Sequence, residues 1–459
     1  MPQPISEPPT RDVSPTRPAT AAASLSDRTL RKVRRRILPV IIVMYLIAYL
    51  DRNNVGFARV GMEHTLGLND AAYGLGAGIF FVGYVIMEIP SNAGMYRFGA
   101  RKWMARILIS WGILAVAMAF VVGESSFYIL RFLLGAAEAG FFPAVLFYFT
   151  LWVPAAHRAG VLGLFVLAQP VANALGSPLS GLLLNLDGTL GLRGWQWMFI
   201  VEGIPAVILG VLAPRLLTDR PADARWLARD EREWLTRTMD AENAVKESTS
   251  RHPFLAGLKD RRAIAYGLMN LGMVCGIYGL GLWLPSIVGA LGTFSNTQLG
   301  LLVMLPYAAA IPCVYYWSKR ADRTGRRAWH ASISMITAAV GLVGAGFLLA
   351  VHPILALAFL TIAAIGIYSA VAPFLAMPSA VFAGAAAAAG LGLVNSLGNI
   401  GGFVSPYIVG LIKTSTGNTQ IALVFLAGCL ALTGLIVYRY AHSRPEGNVS
   451  AATAPHPSR

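Results

Sequence analysis

Tyr96-Arg97-Phe98-Gly99-Ala100-Arg101-Lys102 and Asp322-Arg323-Thr324-Gly325-Arg326-Arg327 are one kind of turn met twice: a glycine crowded by arginines between long apolar runs. A spanning helix needs about 20 mostly apolar residues. Counting outward from the first turn gives six such runs, at roughly 37–57, 71–95, 103–122, 127–151, 159–185 and 195–217. The second turn sits among six more, at roughly 263–290, 297–317, 329–351, 353–376, 387–412 and 419–440. Each turn follows the second run of its half, so the chain reads as two like-oriented halves of six helices. The expected fold is an all-α membrane protein with 12 transmembrane helices in two six-helix bundles.

Composition agrees. The chain has 459 residues, 56% hydrophobic and 13% charged, where a soluble domain carries about 25% charged residues. The net charge of +15 would suit a nucleic-acid binder if it were spread over one face. It falls instead in short clusters between apolar runs, so the bilayer is the expected partner and nucleic acid is not. The run Arg31–Arg36 is a topology anchor. Both termini should lie on one side, and on that side stand 32 of the 37 Lys and Arg residues. The opposite loops hold only Arg59, Arg193 and Lys413. By the positive-inside rule the termini are cytoplasmic, and the expected location is the cell inner (plasma) membrane.

The expected organisation is a disordered basic tail over 1–36 and a first bundle over 37–217. A polar central loop over 218–262, with a short surface helix near Arg229–Met239, leads to a second bundle over 263–440 and a tail over 441–459. Cys275, Cys313 and Cys429 lie singly in apolar runs, which points to packing rather than disulfides or zinc. No phosphate-cradling Gly-Lys-Ser/Thr motif and no intramembrane His/Asp/Glu metal set occurs. Neither cofactor nor metal, nor an enzyme or an obligate protein partner, is therefore expected.

An ionised side chain at the bilayer centre costs about 2.5–3.5 kcal/mol on insertion scales, so such residues face a wet cavity or a partner. They are few here: Asp51, Arg52, Glu88, Arg131, Glu138 and Glu202. Tyr45, Tyr49 and Arg52 are spaced i, i+4, i+7 and share a helix face, offering a cavity two phenols and a cation. Asp51 is turned about 100° away, toward a neighbouring helix, unless Asp51-Arg52 simply marks the interface. Arg131 and Glu138 share a face of span 4, either as structural ion pairs or as cavity groups. A carboxylate held between desolvation and a nearby arginine can exchange a proton as a cavity opens to either side. Gln169-Pro170 and Asn173 interrupt span 5. Asn395 and Asn399 lie on one small-residue face of span 11, as packing glue or as recognition groups. The two turns, with Arg97, Gly99, Arg101, Asp322, Arg323, Gly325 and Arg326, read as gating elements whose charges pair in one conformation and part in another.

Tyr49–Ala58, Phe80–Asn92, Arg131–Pro143, Gly194–Gly203 and Asn395–Pro406 together resemble the anion:cation symporter family of the major facilitator superfamily, the group of tartrate, phthalate and sugar-acid permeases. The resemblance covers about residues 31–440. It implies two six-helix bundles about a central site working by alternating access. It implies that Asp51 and Glu138 couple protons, that Arg52 and Arg131 balance them and attract the anion, and that Tyr49, Tyr84, Gln169 and Asn395 line the substrate cavity. Two departures stand out. Asn92 and Tyr96 replace the Gly and Asp of the usual first turn, and Leu375 stands where many relatives place Trp. The expectation is proton-coupled import of a small organic anion such as tartrate or a sugar acid. An aromatic carboxylate is the alternative, and proton-linked efflux a further one.

Overall fold

The computed structural model describes residues 17–249, 260–382 and 385–443. Its helices are α1 (Arg17–Leu66), α2 (Asp70–Phe98), α3 (Ala100–Ala117), α4 (Glu124–Glu138), α5 (Phe141–Trp152), α6 (Ala155–Leu184) and α7 (Gly194–Leu216). After a polar connection, α8 (Arg229–Thr249) is followed by α9 (Arg261–Gly289), α10 (Asn296–Thr324), α11 (Arg327–Leu348), α12 (Pro353–Val381), α13 (Ala385–Thr416) and α14 (Thr419–Ser443). The spans are α1, α2, α3, the α4–α5 pair, α6 and α7 in the first half, and α9 to α14 in the second. Ten of these twelve are long and apolar enough to cross a membrane by length and composition alone. With α1 and α13 they make two six-helix bundles, and the all-α, twelve-span expectation holds.

Helix ends follow local chemistry. Asn69 caps α2 by accepting from the Ala72 amide at 2.8 Å, and Ser295 caps α10 through Gln298. Gly99 (φ +85°) and Gly325 (φ +67°) turn the chain in the two arginine motifs, a backbone state that glycine reaches without penalty. Span 4 breaks at Ala139-Gly140, where Gly140 has φ +85°. Pro143 then lies in the first turn of α5, where its missing N–H leaves no bond unmade.

Three findings differ from the sequence expectation. The first helix begins at Arg17, so 17–36 is helical rather than a disordered tail; 1–16 lie outside the described residues. The cause is a partner in the central segment. Arg28 pairs with Asp230 (2.7 Å) and Glu231 (2.8 Å), and Lys32 with Glu231 (2.8 Å), while Arg36 lies over the Trp226 ring at 5.4 Å. The surface helix of the central segment also runs to Thr249, well beyond Met239, and the chain is helical again from Arg261. Residues 250–259 and 444–459 lie outside the described residues. Finally, α14 runs on to Ser443.

The halves meet along two seams of small residues, α2 with α13 and α6 with α10. A Cβ on Gly78 would meet Phe403, and one on Gly300 would meet the backbone of Ser177, Pro178 and Gly181. These seams close the end of the molecule away from α8, called here the loop end. Its rim carries a further lock. Arg59 pairs with Asp70 and donates to Ser286 Oγ at 2.8 Å, Lys413 lies 3.8 Å from Asp70, and both cations stand over the Trp283 ring.

Candidate functional site

Midway along the bundle, one arginine gathers the site. Arg52 of α1 is buried and ion-paired to Glu138 at the end of α4. Its other terminal nitrogen donates to Tyr278 Oη of α9 at 2.6 Å, so one guanidinium joins the two halves. The rings of Tyr49, Phe80, Tyr84 and Tyr278 surround it, centroids 5.2–5.8 Å away, which holds a desolvated cation by its attraction to ring faces. The break after Glu138 aims that carboxylate at α1. One of its oxygens, Oε2, and the Arg52 Nε are buried without a partner.

Beside this group a small cavity of about 20 Å³ is lined by Tyr49, Asn53, Asn54, Asn173 and Ser180 from the first half and by Tyr307 from the second. That is room for about one water molecule. Asn53 donates to Asn173 at 2.6 Å, and Asn173 donates to Tyr368 Oη at 2.9 Å. Tyr368 packs edge-on to Tyr307, centroids 5.9 Å apart. A second polar link thus crosses between the halves.

The structure brings together Tyr49, Arg52, Tyr84 and Glu138 among the expected residues, and separates others. Asp51 faces away from the guanidinium cluster. It accepts from Trp111 Nε1 of α3 at 2.5 Å and from Asn54 at 3.2 Å. Arg131 is 0% exposed and pairs with no carboxylate among the described residues; it donates to the carbonyls of Gly76 and Ala77 of α2 at 3.3 and 3.2 Å and lies over Phe80. It does not line the cavity. Asn395 donates to Glu88 at 2.5 Å, and Ser396 does so at 2.9 Å, so Asn395 ties α13 to α2. Gln169 is buried on α6, and Asn399 is half-buried on α13; neither lines the cavity.

In the turn motifs, Arg101 pairs with Asp219 at 2.8 Å and Asp322 lies 4.0 Å from Arg327. Arg97 stacks on Phe98. Each motif is thus tied within its own half in this state. Sequence reasoning missed Tyr278, Tyr307 and Tyr368. The only local signal for Tyr278 is a hydroxyl in the glycine-rich apolar run Gly276–Gly281.

Two six-helix bundles about a buried, charge-paired centre are the architecture of a membrane transporter. Sequence comparison agrees. The family model described as Major Facilitator Superfamily matches residues 41–293 and 267–458. A protein of Agrobacterium vitis named "Putative tartrate transporter" is 45% identical, the match covering 95% of this chain and 99% of that one. A "Quinolone resistance transporter" of Acinetobacter baumannii is 42% identical over 91% of this chain and 95% of its own. Among solved structures, a partially occluded inward-open form of the Escherichia coli xylose transporter XylE superposes with a TM-score of 0.71 at 15% identity, over 88% of this chain and 98% of that one. The chain belongs to the Major Facilitator Superfamily, and it is a multi-pass membrane protein that carries a small organic substrate by secondary transport.

Proposed function

We propose that the chain imports a small organic carboxylate together with protons, across the inner membrane, with its termini in the cytoplasm. The observation that carries this reading is the Arg52–Glu138 pair joined to Tyr278 of the other half. A carboxylate entering the site competes with Glu138 for the guanidinium. A proton arriving on Glu138 releases Arg52 for the substrate, so the two ligands favour each other by occupying opposite sides of one ion pair. The hydroxyls and carboxylates of the tartrate named for the A. vitis relative match the tyrosine hydroxyls and asparagine amides around the cavity, which would have to widen from its present one-water size to admit it. Accumulating an anion against a negative interior needs such a partner. Each proton contributes about 1.4 kcal/mol per pH unit, and each net positive charge about 2.3 kcal/mol per 100 mV.

A second reading, export of a drug-like acid, is favoured by the quinolone resistance relative. Quinolones are themselves carboxylic acids, so this changes the direction and the size of the substrate more than the binding chemistry.

The test is counterflow in proteoliposomes with labelled tartrate, sugar acids, phthalate and nicotinate, comparing wild type with Glu138→Gln. The expected result is exchange of one acid by both proteins, with pH-driven accumulation lost in the variant. Exchange of lipophilic cations and of no acid overturns the proposal.

A further inference from the structure

Glu202 of α7 takes no part in the site described above, although it is 4% exposed. Ser180 Oγ of α6 donates to its Oε1 at 2.9 Å. Its Oε2 is buried without a partner, and no Lys, Arg or His forms an ion pair with it among the described residues. Asn54 of α1 makes no hydrogen bond to it, and the Asn54 Oδ1 is likewise buried without a partner. The Asn54 amide donates instead to Asp51 at 3.2 Å.

The charges of this region can be counted. Asp51, Glu138 and Glu202 are acidic; Arg52 and Arg131 are basic. Arg52 is paired to Glu138. Arg131, with Arg52, acts on Asp51 through space. Asp51 also takes hydrogen bonds from Trp111 and Asn54, which suit an ionised acceptor. Glu202 is left with the Ser180 hydroxyl as its hydrogen-bond partner and no ion-paired cation among the described residues. An unpaired buried carboxylate takes up a proton rather than remain charged. A proton on Glu202 removes the charge that its partnerless Oε2 would otherwise share in a buried site.

We propose that Glu202 is held as a neutral carboxylic acid and that it exchanges its proton with the central cavity through Ser180. Both Ser180 and Asn54 line that cavity. In the loading step a hydronium ion in the cavity gives a proton to Ser180 Oγ as Ser180 passes its own to the Glu202 carboxylate. Water is released, and the negative charge is neutralised. Unloading runs the same transfers backwards. This deepens the proton-coupled reading by adding a proton carrier set apart from the arginine.

The test begins with a readout that needs no substrate. Infrared spectra of the full chain in lipid, at neutral pH, should contain the C=O stretch of a buried carboxylic acid. Glu202→Gln should remove it. Ser180→Ala, which leaves the carboxyl in place, should shift the band and slow its hydrogen–deuterium exchange, so the result stands even if the Gln variant fails to fold. In transport, Glu202→Gln should keep counterflow and lower the accumulation ratio about tenfold per pH unit of gradient, the amount one coupled proton supplies. Absence of the band, or its persistence in Glu202→Gln, overturns the proposal whatever the outcome for Glu138. An unaltered accumulation ratio with the band lost overturns the carrier role and leaves Glu202 as a fixed neutral acid.

Discussion

At the scale of single residues, Arg52 has the most to lose. Its guanidinium serves Glu138, Tyr278 and four aromatic faces at once, and a lysine ammonium cannot hold that geometry. Arg52→Ala leaves Glu138 as an unpaired buried charge, and losing one partner of a buried pair costs about 3–5 kcal/mol. The expected outcome is a large drop in melting temperature for Arg52→Ala, a smaller one for the Arg52→Ala, Glu138→Ala double variant, and loss of transport in both. Equal destabilisation of single and double variants, read by thermal unfolding in detergent, contradicts the pairing. Much at this scale is written in the sequence. The 100° step per residue turns Asp51 away from the face of Tyr49 and Arg52, and the Trp111 contact lies on that other side. The same arithmetic misleads for Arg131 and Glu138. They share a face of α4, yet Glu138 at its last residue reaches Arg52 of α1 while Arg131 is captured by two carbonyls of α2. Backbone acceptors on a neighbouring helix leave no mark in periodicity.

At the scale of elements, the seams between helices decide which end is open. Gly300 packs against the backbone of α6, and nearby Asn185 donates to Thr297 at 2.8 Å. Gly300→Leu should wedge α6 from α10 and shift the population toward a state open at the loop end. The check is alkylation of a cysteine placed at Thr297, with Cys275, Cys313 and Cys429 replaced. A rise of about tenfold in rate corresponds to about 1.4 kcal/mol, and an unchanged rate means this seam does not hold that end shut. The number and order of spans are plain in the sequence because apolar length is a strong local signal. The pairing of α2 with α13 and of α6 with α10 is not, because glycine spacing names a close neighbour without saying which helix it is.

At the scale of the molecule, the first bundle is fastened to the segment that leaves it. Burial raises the Glu231 carboxyl, but Lys32, the Ala228 amide and Arg28 more than offset this and hold it below its ordinary value of 4.5. A depressed carboxyl stabilises the folded arrangement above its ordinary value and ceases to do so as pH falls through the depressed one. The tie between α1 and α8 is therefore expected to hold at neutral pH and to loosen in acid. Spin labels at positions 31 and 237 should report a longer, broader distance at low pH, and Glu231→Gln should produce it at neutral pH. A distance unmoved by either change shows that apolar packing, not charge, fastens the helix. Nothing in residues 17–36 alone announces this helix, since its partners lie some two hundred residues later in the chain.

The glycine seams carry one more consequence. Where backbone rests on backbone, as at Gly74 with Pro406 and at Gly181 with Asn296, there are no side-chain teeth to disengage. On the transport cycle proposed here, such stretches have only close van der Waals contact to give up when the halves part. The directional bonds lie beside them, in the ring of Arg59, Asp70 and Lys413 and in the Asn185–Thr297 link, so on that cycle latch and sliding face are separate parts of one closure.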